Sequence, residues 1–147
     1  MSHMTLPVTT LVVVSDLRLR QGMKSALERL GPVQTCGTVD EARHAIQART
    51  YDLIVADEDL ADGSSGLSFW AWLLSHGIGI PFILLSDSDG PSPQDYSPLG
   101  AHRPSPEIHK KPFSMETLFR RAQALVNEEM LVNAALASLE PTLPGNL

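Results

Sequence analysis

Four polar residues lie at or just past the ends of candidate strands, and their side chains suit phosphoryl transfer. That reaction needs a nucleophile in line with the phosphorus, a divalent cation that neutralises developing charge, and fixed donors for the phosphoryl oxygens. We assign Asp57 as the nucleophile and Asp16 as a second carboxylate ligand for Mg²⁺, because this cation prefers oxygen ligands. Ser86 offers a hydroxyl donor, and Lys111 offers a compact cation facing the phosphoryl group.

The apolar segments beside these residues predict β-strands. A short run of apolar residues is typical of a strand that is buried on both faces of a sheet. Such runs occupy 11–14, 53–56 and 81–85, and a weaker candidate occupies 108–110. The carboxyl ends of parallel strands share one edge of a sheet, where open α/β sheets bind their ligands. We therefore expect the four polar side chains to meet at that edge.

Helical patterns alternate with these strands and with a further strand at 33–36. Each pattern has apolar residues at helical spacing, and most begin at a residue type that caps helices. This alternation predicts an α/β fold, a doubly wound five-stranded parallel sheet with helices on both faces. Five prolines between Asp87 and Glu107 predict that the fourth helix of the alternation is degraded.

The last helical pattern continues beyond the length that one domain needs. Apolar residues recur at alternating spacings of four and three, interrupted once by Glu129, at 118, 122, 125, 129, 132, 136 and 139. This spacing is typical of a coiled-coil seam and suggests a homodimer through the C-terminal helix. The alternative is an ordinary core-facing helix whose second half frays. We divide the chain into a tag scar and lead-in at 1–9, a domain at 10–128, and a helical extension with a flexible tail at 129–147.

Composition limits the classes of function. The 147 residues carry a formal net charge of -6, which argues against a general nucleic-acid binder because such proteins rely on clustered Lys and Arg. No segment approaches the roughly 20 apolar residues that span a bilayer, so we expect no membrane partner. The single Cys36 has no intramolecular disulfide partner, which fits a reducing, cytoplasmic setting.

Four segments in this order resemble the receiver domain of bacterial two-component response regulators, of the chemotaxis-Y-like type. The resemblance covers roughly residues 10 to 128 and is carried by Val13-Val14-Ser15-Asp16, Tyr51-Asp52-Leu53-Ile54-Val55-Ala56-Asp57, Leu84-Leu85-Ser86 and Lys111-Pro112-Phe113. It implies a flavodoxin-like sheet with strand order 2-1-3-4-5. It also implies a phosphorelay switch rather than a metabolic enzyme.

The same resemblance implies a role for each site residue. Asp57 would accept a phosphoryl group from a histidine kinase or phosphotransfer protein, and Mg²⁺ would bind Asp16, Asp57 and the main-chain carbonyl of Asp59. Ser86 would move toward the phosphoryl oxygens. Lys111 would pair with the carboxylate and precede a cis peptide bond to Pro112.

Several positions depart from the family pattern. Ser15 replaces the first of two usual acidic residues, which predicts weaker binding of Mg²⁺. Ala61 stands where a proline is usual, and Ile108 stands where an aromatic residue often swings inward on activation. Asp87 follows Ser86 where a small residue is usual, and its charge would repel an incoming phosphoryl group.

These departures keep two alternatives open. The first is a degenerate receiver that acts as a phosphorylation-independent protein-interaction module. The second is a phosphatase similar to haloacid dehalogenases, in which Asp57 would be the nucleophile and Asp59 the acid/base residue. That family normally carries its acidic pair on the first strand, whereas two strand–helix units precede Asp57 here.

Overall fold

The computed structural model describes residues 7–87 and 106–139. Nine elements alternate along these two ranges and end in a long helix. In chain order they are β1 (Thr10–Val13), α1 (Leu17–Leu27), β2 (Val33–Cys36), α2 (Val39–Ala48), β3 (Leu53–Asp57), α3 (Gly66–Ser75), β4 (Phe82–Ser86), β5 (Glu107–Lys110) and α4 (Met115–Leu139).

The strands form one parallel sheet in the order β2-β1-β3-β4-β5. The register pairs Val13 of β1 with Ala56 of β3, and Asp57 of β3 with Leu85 of β4. The expected doubly wound sheet and its strand order are thus confirmed. Because β3 is the middle strand of the sheet, both of its edges are paired, and its carboxyl end lies between the ends of β1 and β4.

Each face of the sheet buries its own apolar core. On one face, alternate strand residues such as Leu11 and Ile54 pack with the buried side of α2 and α3, including Phe69. On the other face, Val12 and Val55 pack with α1 and α4, including Met23 and Leu118. Burial on both faces explains why these strands are uniformly apolar instead of alternating with polar residues.

Side-chain caps fix where the helices begin. Thr38 accepts a hydrogen bond from the backbone N–H of Glu41 at 3.1 Å, and Ser65 accepts one from Leu67 at 3.0 Å. Ser114 likewise accepts one from Thr117 at 3.0 Å. Each bond satisfies one of the backbone donors that a helix leaves unpaired at its first turn. These residues are of the capping types that the sequence places at the starts of the helical patterns.

Gly66 lets α3 lie directly against the end of β3. A Cβ atom at this position would clash with the main-chain oxygen of Asp57, and it would lie 2.9 Å from Leu84 Cδ1. Only a residue without a side chain therefore fits here, at the first turn of the helix. This close contact fixes the distance between α3 and the carboxyl end of the central strand.

The end of α1 differs from the apolar spacing of the sequence. Leu30, which continues that spacing, lies after the end of the helix and packs on the core from the following turn. In α3, Phe69, Trp70, Leu73 and Leu74 are buried, whereas Ala71 is half-buried. The predicted degradation of a helix between Asp87 and Glu107 concerns mainly residues 88–105, which lie outside the described ranges.

The final helix has two different halves. Its first half is part of the core, with Leu118, Ala122 and Val126 buried. Beyond these residues it continues to Leu139, and the large side chains of Leu131, Val132 and Leu136 are exposed. Among the helices in the two described ranges, α4 included, none is long and apolar enough to cross a membrane.

An ionic network joins β5 to the first half of α4. Arg121 donates hydrogen bonds from Nε and Nη2 to the two carboxylate oxygens of Glu107, at 2.8 and 2.6 Å. His109 lies 2.8 Å from the same carboxylate. These hydrogen bonds, above all the one from Arg121, hold the pKa of Glu107 below its ordinary value.

We predict that this network stabilises the fold at neutral pH and loses its effect in acid. A lowered pKa means that the contribution is present above the ordinary glutamate value, about 4.3, and disappears as the pH falls through the lower folded-state value. Glu107→Gln should therefore reduce the free energy of unfolding by about 1 kcal/mol at pH 7, and the two proteins should converge once the pH has fallen below the folded-state pKa of Glu107. Urea unfolding across a pH series measures the difference.

The matched control is Glu116→Gln. Glu116 pairs with Arg29 at 3.3 Å, but both side chains are more than half exposed. We expect a change within about 0.5 kcal/mol at every pH. A Glu107→Gln difference that stays constant with pH would contradict the prediction.

Candidate phosphoacceptor site

Asp57 ends the central strand and is buried, with 6% of its surface exposed. Lys111, just after β5, donates from Nζ to both carboxylate oxygens at 3.0 and 2.9 Å. A buried carboxylate is costly unless a cation or several donors compensate its charge. The ammonium group of Lys111 provides that compensation here, so the two residues that the sequence analysis brought together are in direct contact.

Ser86 lies at the end of β4, next to the end of β3. Its hydroxyl is buried and donates a hydrogen bond of 2.6 Å to the carboxylate of Glu58. The main-chain oxygen of Ser86 accepts a hydrogen bond from the N–H of Lys111 at 2.8 Å. Ser86 is therefore tied both to the residue after Asp57 and to the lysine that neutralises Asp57.

Sequence reasoning missed Glu58 as a residue of this site. The signal that was available is strand register, because β3 and β4 are parallel and Asp57 pairs with Leu85. The next residue of each strand, Glu58 and Ser86, must then lie opposite one another. That register became readable only once the two strands were known to be neighbours.

Asp16 and Asp59 lie on exposed loops at the same edge of the sheet. Asp16 follows β1 and caps α1, where its carboxylate accepts a hydrogen bond of 3.4 Å from the N–H of Arg18. Asp59 is exposed and donates from its backbone N–H to Oδ1 of Asp57 at 3.3 Å. The role of Asp16 and of the Asp59 carbonyl as metal ligands remains a prediction.

The donor chemistry of these residues fits a hard cation such as Mg²⁺. Two carboxylates and a main-chain carbonyl are oxygen ligands, and Mg²⁺ usually binds through one or two carboxylates and keeps several waters. Across 7–87 and 106–139, no group of three or more His, Cys, Asp or Glu side chains is arranged to hold a metal ion.

Ser15 links two loops of this edge. Its hydroxyl donates to the main-chain oxygen of Gly37 at 2.9 Å and accepts from the N–H of Ala61 at 2.8 Å. A proline at position 61 has no N–H to donate. The two departures at positions 15 and 61 are thus linked, because Ser15 and Ala61 share a hydrogen bond that a proline at 61 could not make.

Cys36 cannot act as a nucleophile beside this site. It is buried at the end of β2, and burial, with a smaller effect from the charge of Glu41, raises the pKa of its thiol to about 12. The reactive form of cysteine is the thiolate, which is negligible at neutral pH with such a pKa. Asp57 is therefore the better candidate nucleophile at this edge.

Solved structures of receiver domains share this architecture. A receiver domain of the Francisella response regulator 1452 superimposes with a TM-score of 0.70 at 26% identity, covering 83% of this chain and 98% of that one. The signal receiver domain of a LuxO repressor-like protein from Vibrio parahaemolyticus gives 0.73 at 19% identity, covering 88% and 98%. This chain has a receiver-domain fold.

A longer protein shares this fold over half its length. The response regulator PhyR from Brucella abortus matches with a TM-score of 0.66 at 26% identity, over 88% of this chain and 52% of PhyR. No protein-family model matches the sequence, and no curated protein sequence does. The likeness to solved receiver domains is thus a likeness of fold.

Two details of the receiver fold agree with the expectations drawn from the sequence. The peptide bond between Lys111 and Pro112 is cis. Ile108 lies on β5 and packs against the core that α2 and α3 cover. An isoleucine has no aromatic ring to swing between an exposed and a buried position.

Asp87 competes for the same lysine. Its carboxylate lies 3.9 Å from Lys111 Nζ, with 74% of the side chain exposed. The ammonium that compensates Asp57 therefore also faces a second negative charge. The repulsion expected from the sequence between Asp87 and an incoming phosphoryl group remains a prediction.

We predict that the stability of the receiver fold depends on the contact between Lys111 and Asp57. Lys111→Met leaves a buried carboxylate with fewer donors and should lower the free energy of unfolding by about 2 kcal/mol. The same change in an Asp57→Asn background should cost less than about 1 kcal/mol, since the buried charge is gone. Urea unfolding of the wild type, Lys111→Met, Asp57→Asn and the double variant measures the coupling free energy between the two residues.

Lys24→Met serves as the matched control. Lys24 makes an exposed pair with Glu28 at 3.8 Å on α1, where 49% of its side chain is accessible. Its loss should change stability by less than about 0.5 kcal/mol. Equal costs of Lys111→Met in both backgrounds would show that the lysine does not stabilise the carboxylate.

Proposed function

We propose that the chain is a phosphoacceptor receiver domain of a two-component response regulator, phosphorylated on Asp57. The observation that carries this proposal is the two-oxygen contact of Lys111 with a buried aspartate at the end of the central strand. Ser86 lies on the neighbouring strand end. The similarity to a Francisella receiver domain over most of both chains supports the same interpretation.

Asp57, Lys111 and Ser86 would each have a separate role in the phosphoryl transfer. A carboxylate oxygen of Asp57 attacks the phosphorus of a phosphohistidine, so that a P–O bond forms as the P–N bond breaks and the imidazole leaves. Lys111 then neutralises part of the new charge, since its ammonium already contacts both oxygens. The Ser86 hydroxyl is the donor that would turn to a phosphoryl oxygen.

We propose that Mg²⁺ is held by Asp16, Asp57 and the main-chain carbonyl of Asp59. When bound, the ion supplies charge neutralisation for the phosphoryl oxygens. Ser15 leaves one acidic side chain fewer than the usual pair, and its hydroxyl is occupied by Gly37 and Ala61. We therefore expect weak binding of Mg²⁺.

The setting that follows is a cytoplasmic phosphorelay. The donor would be a histidine kinase or a phosphotransfer protein, and phosphorylation would shift an equilibrium between two conformations with different partner affinities. We propose 10–128 as the receiver unit and 129–147 as its helical extension and tail. The chain would then be a switch and not a metabolic enzyme.

Incubation with acetyl phosphate and Mg²⁺ should give one labile phosphoryl adduct by intact mass. Asp57→Asn should abolish it, because an amide is not a competent nucleophile. Asp52→Asn is the matched control, since Asp52 precedes the same strand at its opposite end and accepts from Thr9 N–H. A wild-type chain without an adduct from acetyl phosphate, or an adduct that persists in Asp57→Asn, would contradict the proposal.

Two observations favour the degenerate receiver as the second candidate. The Ser86 hydroxyl donates to Glu58, and Lys111 is shared between Asp57 and Asp87. A degenerate receiver would show no saturable amide shifts around Asp57 when Mg²⁺ and beryllofluoride are titrated. Repeated turnover of a phosphomonoester that Asp59→Asn abolishes would instead favour the phosphatase hypothesis.

We also propose that the exposed half of α4 mediates a homodimer. Val132 and Leu136 are more than half exposed and continue the four–three spacing of the buried half. Light scattering should give a concentration-dependent dimer, and Val132→Glu with Leu136→Glu should give a monomer because charges at a seam are desolvated. Ala134→Glu, about 200° around the helix from Val132, should leave the dimer intact. A monomer at every concentration would exclude this interface.

A further inference from the structure

The hydrogen bond between Ser86 and Glu58 occupies the group that phosphoryl recognition needs. A serine hydroxyl carries one proton and can donate it to one strong acceptor at a time. Here the proton points to a carboxylate oxygen at 2.6 Å, in the range of short, charge-assisted hydrogen bonds. A phosphoryl oxygen on Asp57 can receive this donor only after Glu58 gives it up.

The backbone around both residues is fixed, so only their side chains can change this contact. Glu58 N–H donates to the oxygen of Leu85 at 2.8 Å, and Glu58 oxygen accepts from Gly66 at 3.3 Å. Ser86 oxygen accepts from the N–H of Lys111. The rearrangement is therefore a rotation of two side chains at the ends of two paired strands.

We propose that Glu58 is a positioning residue that competes with the phosphoryl group for the Ser86 hydroxyl and so sets the threshold of the switch. This inference rests on the proposed phosphoacceptor function of Asp57. In the unphosphorylated state Glu58 holds Ser86 in the resting arrangement. The bond between Ser86 and Glu58 must break before the Ser86 hydroxyl can donate to a phosphoryl oxygen on Asp57.

The surroundings of the two side chains make such competition reversible. Ser86 is 1% exposed, whereas Glu58 is half-buried at the edge of the sheet. A released Glu58 carboxylate can therefore regain water, which limits the cost of release. Because Glu58 is also a negative charge next to Asp57, repulsion of the phosphoryl group adds to the hydrogen-bond competition, and an experiment must separate the two effects.

A double-mutant cycle with beryllofluoride separates them. The probe is beryllofluoride with saturating Mg²⁺, and binding is measured from amide shifts in the wild type, Glu58→Ala, Ser86→Ala and the double variant. Glu58→Ala should bind the probe about tenfold more tightly when Ser86 is present. In the Ser86→Ala background, where only charge repulsion remains, the gain should fall below about threefold.

Glu58→Gln provides a second variant that keeps an acceptor but removes the charge. It should tighten binding less than Glu58→Ala, because its amide oxygen still accepts from Ser86. If Glu58→Ala does not fold by circular dichroism, the same cycle is run with Glu58→Gln. Its gain must again be larger with the native serine than in the Ser86→Ala background.

The outcomes distinguish this inference from the function on which it rests. Three results would overturn the competition while leaving phosphoacceptance intact. The gain in beryllofluoride affinity could be the same with the native serine and in the Ser86→Ala background, it could be the same for Glu58→Gln and Glu58→Ala, or there could be no gain at all. Binding by Glu58→Ala but not by the wild type would support it in its strongest form. If no protein binds beryllofluoride, the proposed function fails, and the inference fails with it.

Discussion

The arrangement depends on one electrostatic constraint, a carboxylate buried at the end of the central strand. Asp57 is retained there because Lys111 reaches it from beyond the end of β5 with a single ammonium. The contact requires β3, β4 and β5 to lie side by side in parallel, so that all three strand ends converge. The apolar cores on the two faces stabilise this sheet. They therefore also stabilise the contact between Asp57 and Lys111.

Three departures from the usual receiver pattern lie at this edge of the sheet. Ser15 and Ala61 are far apart in the chain but share a hydrogen bond that a proline at 61 would remove. Asp87 approaches the lysine that compensates Asp57. Beside them, Glu58 accepts a hydrogen bond from Ser86.

Such pairing changes what the edge of the sheet can do. Each additional carboxylate near Lys111 or Ser86 offers an alternative partner to a group that phosphoryl recognition uses. Under the proposed function, these contacts would favour the resting arrangement over the phosphorylated one.

Local patterns in the sequence were enough to predict the strands, the residue types that cap the helices and the candidate site residues Asp16, Asp57, Ser86 and Lys111, because apolar runs, capping residues and strand ends are local patterns. Strand order and the pairing of Lys111 with the Asp57 carboxylate followed from family resemblance, and the structure shows both. The other polar contacts of the site are visible only in the folded chain. Glu58 faces Ser86 because of the register between two strands, and Ser15 meets Ala61 because two loops converge. Contacts between distant segments depend on packing geometry, and local periodicity carries no information about it.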